Sequence, residues 1–113
     1  MAIYEGFAVQ GGNWRYKPGN ARLVEFASRQ GHSERDKLAV VIDIQSASQV
    51  APILYDRVFA AFSGAYSRST GSLTRALCDA YLAANELVLD INQRSDAAHQ
   101  LLVGLESAVM RQN

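Results

Sequence analysis

Residues 37–66 read KLAVVIDIQSASQVAPILYDRVFAAFSGAY, and the spacing of apolar residues changes partway through. Val40, Val41, Ile42 and Ile44 are β-branched in close succession, which suits a pleated strand. Successive strand side chains point to opposite faces, so this run predicts a central strand covered on both. From Val50 onward the apolar positions fall three or four apart, at Leu54, Val58, Ala61, Phe62 and Ala65, which predicts a helix over about residues 48–66 with one buried side. Ser46 or Ser48 is the expected cap, and Pro52 fits only in the first turn, where its missing N–H has no intrahelical partner. Asp43 sits at the end of the strand, where a carboxylate is either a metal ligand or a polar strand end that caps the segment after it.

On the N-terminal side, AIYEGFAVQ (residues 2–10) reads as a first strand, broken by Gly11, Gly12 and Asn13. Pro18-Gly19-Asn20 carries the chemistry of a chain reversal, and ARLVEFAS (residues 21–28) is a second strand. RQGHSERD is a polar loop. On the other side, residues 67–72 form a small polar loop with Ser72 or Thr70 as the next cap. The helix that follows carries Leu73, Leu77, Ala80, Tyr81, Ala84, Leu87, Val88 and Ile91 on one side and leaves Asp79, Glu86 and Asp90 in solvent. After a polar stretch, LLVGLESAVM is a last strand in which Gly104 marks a bulge or a close backbone approach. No strand returns after it, so its outer edge is expected to lie open.

Two consecutive helices between strands argue against alternating βαβ units. They predict an α+β fold over residues 1–113, a mainly antiparallel sheet with both helices packed on one face.

Composition narrows the function classes. Eleven basic residues balance eleven acidic ones, and the arginines are scattered singly, so the basic face that neutralises phosphates is missing and no nucleic-acid partner is expected. No apolar run approaches the roughly 20 residues of a membrane helix, and the N-terminus lacks a signal-peptide pattern. The single Cys78 forms no internal disulfide; together these features predict a cytoplasmic protein with Cys78 a buried, inert thiol. His32 and His99, the only histidines, have no spacing that ties them to a nucleophile and are read as surface residues. Gly11-Gly12 lacks the spacing of a phosphate loop and reads as a turn. Trp14, Arg15, Tyr16 and Lys17 form the one aromatic-basic cluster, either a hairpin whose aromatics pack across strands or a surface for a ligand or partner.

Three stretches, LAVVIDIQSASQVAPILYDRVFAAF, LTRALCDAYLAANELVLDIN with its Ala-Ala-Asn, and HQLLVGLESAVM, resemble the N-terminal half of the PP2C (PPM) metal-dependent protein serine/threonine phosphatases. The resemblance implies half of an αββα sandwich, a site for Mg or Mn held by carboxylates, and Asp43 as the one matching metal ligand. The family follows that aspartate with glycine, where this chain has Ile44, and ARLVEF supplies only Glu25 where the family has further ligands. A two-metal site needs several converging oxygens. The expectation is a degenerate, non-catalytic PP2C-like module with no catalytic residue and no cofactor, acting through a protein partner or self-association at the open sheet edge. The alternatives are a fragment of an active phosphatase completed by residues beyond 113, and an unrelated α+β interaction domain.

Overall fold

The computed structural model describes residues 8–10, 13–15, 21–26 and 36–111. Strands β1 (Ala8–Gln10) and β2 (Asn13–Arg15) form an antiparallel hairpin in which Val9 opposes Trp14. A separate three-stranded antiparallel sheet has the order β3 (Ala21–Phe26), β4 (Asp36–Gln45), β5 (Leu102–Arg111). Helices α1 (Ile53–Arg68) and α2 (Leu73–Gln93) lie between β4 and β5 in the chain, followed by a 3-10 turn at Ala97–His99. The fold is α+β with two long helices on one face of an antiparallel sheet. Residues 2–7 of the expected first strand, both glycines of the Gly11-Gly12 turn, the Pro-Gly-Asn reversal and His32 lie outside the described residues.

β4 is central, as its composition predicts, yet from Val40 to Gln45 only one of its faces is covered. Leu38, Val40, Ile42 and Ile44 are buried, whereas Val41, Asp43 and Gln45 on the opposite face are exposed. The β-branched run therefore reports strand propensity together with one-sided burial. An aliphatic residue such as Val41 costs little on an exposed face and still favours the extended backbone.

The buried face of β4 packs against Val58, Phe62 and Tyr66 of α1 and Ala76, Ala80 and Ala84 of α2. Those alanines recur every four residues on one side of α2 and are fully buried. Their small side chains let α1 approach α2 closely, and Phe62 meets Tyr81 edge to face with ring centroids 4.9 Å apart. Most of the larger predicted stripe, Leu73, Leu77, Leu87 and Val88, packs around this centre half-buried.

Helix α1 starts later than its periodicity suggests. Pro52 is the N-cap, no side chain caps it, and Ser46 and Ser48 bond to each other instead. Proline serves because the first turn leaves its N–H positions without helical partners. Ser72 does cap α2, its hydroxyl accepting from the Arg75 N–H. Arg22 fastens β3 to α1 through an ion pair with Asp56 at 2.7 Å and lies over the Phe59 ring.

The end of α2 is tied to the start of β5 by side chains that periodicity does not mark. The Asn92 amide donates to the Leu101 carbonyl at 3.0 Å and accepts from the Leu101 N–H at 2.7 Å. Gln100 donates to the carbonyls of Asn92 and Ser95, satisfying acceptors that a helix C-terminus leaves open. The chain thereby turns back into β5 in a fixed register.

Candidate functional site

Two places in this framework carry functional interest: the outer sheet face around Asp43, and the groove between α2 and β5. Asp43 projects from the side of β4 away from the helices, exposed, and accepts a hydrogen bond from Gln45 Nε2 at 3.2 Å. It caps neither the following loop nor α1. The β5 residue opposite it is Gly104, paired in unbroken register, so the bulge expected at Gly104 is absent. A Cβ at Gly104 would meet only the Asp43 Cβ, at an ordinary 3.9 Å, so nothing within the described residues requires glycine there.

The second candidate ligand is remote. Glu25 opposes Lys37 in the β3–β4 register, and six residues of strand separate Lys37 from Asp43, about 20 Å at a rise of about 3.3 Å per residue. Oxygen ligands to one cation converge within a few ångströms of each other. Asp43 and Glu25 therefore cannot share a metal. Glu106, opposite Val41, is the nearer acid on this face, and among the described residues no group of three or more His, Cys, Asp or Glu could hold a metal ion.

What the outer face does offer is apolar surface. Leu23 is 46% exposed, Val41 45% and Leu102 70%, and Ala21, Ala39 and Ala108 belong to the same side by register. Lys37 is the exception, buried on that side between Glu25 and Met110 in register.

On the helix-facing side α2 runs antiparallel to β5. Tyr81 OH bonds Ser107 Oγ at 2.8 Å at one end, and Asn92 holds Leu101 at the other. Between these ties the helix stands off the strand, leaving an open groove of about 540 Å³ lined by Cys78, Tyr81, Leu82, Ala84, Asn85 and Val88 above and by Val103 and Leu105 below. Cys78 is exposed in this groove, not buried as the adjacent apolar stripe suggests. A second stripe explains it: Cys78, Leu82, Asn85 and Leu89 repeat on the flank of α2 turned away from the core, and none is buried.

The remaining candidates stay apart. His99 is exposed and bonded to Asp96, which also caps the 3-10 turn through the His99 N–H. The His99 side-chain bond holds the Asp96 carboxyl below its ordinary pKa. Asp79, expected in solvent, is half-buried, paired with Arg75 and accepting from Ser69 Oγ. Glu86 and Asp90 are exposed, as predicted. Among the described residues no helix is long and apolar enough to cross a membrane.

Comparison with known protein families, curated proteins and solved structures finds no match to this chain.

Proposed function

We propose that this chain is a non-catalytic, PP2C-like module that works by binding protein. The observation that carries the reading is the one-sided sheet. Helices cover one face, while the other presents Leu23, Val41 and Leu102 to solvent. A two-layer sandwich buries both faces of each sheet between its partner sheet and its helices. A helix-backed sheet whose outer face leaves Leu23, Val41 and Leu102 exposed among charged residues is suited to form half of such an arrangement, and exposed apolar side chains on a sheet face suit contact with a partner. The resemblance to the PP2C family fits this geometry, since Asp43 stands on the bare face, the side a second sheet would cover. Its isolation from Glu25 argues against phosphoester hydrolysis by this chain, and exposed, unpaired Cys78 suits a reducing, cytoplasmic setting.

The reading is tested by titrating Mn²⁺ into the protein while following thermal unfolding and hydrolysis of a phosphoester. A cation that binds the folded state must raise its stability. No shift in Tm and no turnover are expected. A metal-dependent rise in Tm accompanied by turnover would instead establish the phosphatase reading.

A further inference from the structure

The exposed part of the outer sheet face combines apolar surface with charge of one sign. Glu106 opposes Val41 and Gly104 opposes Asp43, so Asp43 and Glu106 are diagonal neighbours on this face, with Cα atoms about 7–8 Å apart. Both are exposed, and among the described residues neither makes an ion pair, Asp43 accepting only from Gln45. Lys37, the cation that the register puts on this side, is buried, and the six residues of strand between it and Asp43 span about 20 Å. Leu23 opposes Ala39 and Leu102 opposes Gln45, which places the two leucines at the ends of a strip about 20 Å long with Val41 and the two acids between them. The strip is narrow. β3 and β5 lie about 10 Å apart across β4, and β3 ends at Ala21, opposite Val41.

We propose that this strip docks a basic amphipathic helix of another protein. The inference rests on reading the chain as a binding module, and it names the chemistry of the partner. Backbone geometry selects a helix. Strands hydrogen-bond within the plane of their sheet, so the face offers side chains and no main-chain partner. A segment laid on it must satisfy its own N–H and C=O groups, as a helix does and a lone extended peptide does not. A helix is about 10–12 Å across with its side chains, the width of the strip, whereas a second sheet would overhang it.

Charge selects a basic one. Lysine or arginine on the docked side would meet Asp43 and Glu106, while apolar residues three and four positions away cover Leu23, Val41 and Leu102. Gly104, beside Asp43 in register, has no side chain to hold a cation off the carboxylate. Two copies of this chain stacked by their outer faces would instead bring the acids of one near the acids of the other. Anionic lipid and nucleic acid would be repelled for the same reason. A contact of about 20 Å by 10 Å is far below the roughly 800 Å² per partner of standard stable interfaces, so the binding is reversible and weakens with added salt.

The test is an NMR titration of the full chain at low ionic strength with a helical peptide of about 13 residues, enough to span the strip. Its leucines recur three and four apart and lysines flank them; a control peptide carries glutamate in place of every lysine. The lysine peptide should shift the amides around Val41, Asp43 and Glu106, and the glutamate peptide should not bind. Asp43→Asn combined with Glu106→Gln, at exposed positions that leave the core intact, should weaken the lysine peptide about threefold to thirtyfold, the scale of two exposed ion pairs. Leu102→Ser, at a position 70% exposed, should weaken it as well. Glu86→Gln, exposed on α2 at the opposite side of the sheet, should leave the affinity unchanged. A lysine peptide that does not bind, equal binding of both peptides, or indifference to the paired substitution overturns the proposal. Each of those results leaves the non-catalytic reading standing, because that reading fails separately, through metal-dependent stabilisation and turnover in the Mn²⁺ titration.

Discussion

The two faces of β4 are built from alternate residues of one ten-residue strand and have opposite fates. Leu38, Val40, Ile42 and Ile44 are sealed beneath α1 and α2, while Val41, Asp43 and Gln45 stand in solvent. Both isoleucines fall on the inner face and Lys37, Asp43 and Gln45 on the outer one, so Val41 is the large apolar residue that breaks the alternation. What separates them is that both helices return to the same face. The inner face carries the folding energy, and the outer face stays exposed at Val41, Asp43 and Gln45.

The largest expected effects come from the inner face. Phe62 is fully buried at the junction of α1, α2 and β4, and Phe62→Ala should cost about 3–5 kcal/mol in chemical denaturation, through lost burial and the cavity left behind. A loss below about 1 kcal/mol would mean that the helices do not pack as described. Next in size is the tie that fixes the register of β5. Asn92→Ala removes both hydrogen bonds to the Leu101 backbone and should cost about 1–3 kcal/mol, with hydrogen exchange accelerating first at the start of β5.

Outer-face changes should be small. Asp43→Asn alters an exposed side chain whose one recorded partner is the exposed Gln45, and stability should stay within about 0.5 kcal/mol of the unmodified protein. A larger loss would point to a role for the carboxylate beyond a polar strand position. Smallest is the effect of Asp96. Its depressed pKa means that the folded state binds a proton less readily than the unfolded chain, so the associated stability is present above the unfolded pKa and fades as pH falls through the folded one. An NMR titration should place the Asp96 midpoint below the ordinary aspartate value of about 3.9. His99→Ala should return it to that value; a midpoint indifferent to residue 99 would remove the pair.

Much of the fold was legible because periodicity encodes it. The change of spacing after Gln45 separates β4 from α1, and Ser72 marks the start of α2 by the standard chemistry of a cap. The stretch NWRYKPGN reads as turn chemistry beside an aromatic-basic cluster, of which one reading is a hairpin, and the short strand β2 within it does pair with β1, Trp14 opposite Val9. One-sided burial of β4 was masked by Val41, which turns the alternation of Leu38, Val40, Ile42 and Ile44 with Lys37, Asp43 and Gln45 into an apparently continuous β-branched run. The exposure of Cys78 was also hidden, because a residue beside an apolar stripe is buried only if a neighbour reaches it, and α2 stands off β5 at that point. For the candidate site, the sequence marks Asp43 and the shortage of companion ligands. Register alone shows that Glu25 lies some six residues along the sheet from it. The groove arises from the ties at Tyr81–Ser107 and Asn92–Leu101, made by residues far apart in sequence whose spacing carries no pattern.

The contrast between the faces is tested most directly by comparing Val40→Ala with Val41→Ala in equilibrium unfolding at dilute protein concentration. The two residues are adjacent and chemically identical, and they differ in which face they occupy: Val40 is fully buried and Val41 is 45% exposed. Truncation should cost about 2–3 kcal/mol at Val40, from lost burial and the cavity, and under about 1 kcal/mol at Val41, the scale of strand propensity. Equal losses at both positions would mean that the outer face is buried in the isolated chain, and would contradict the one-sided sheet on which the proposed binding role rests.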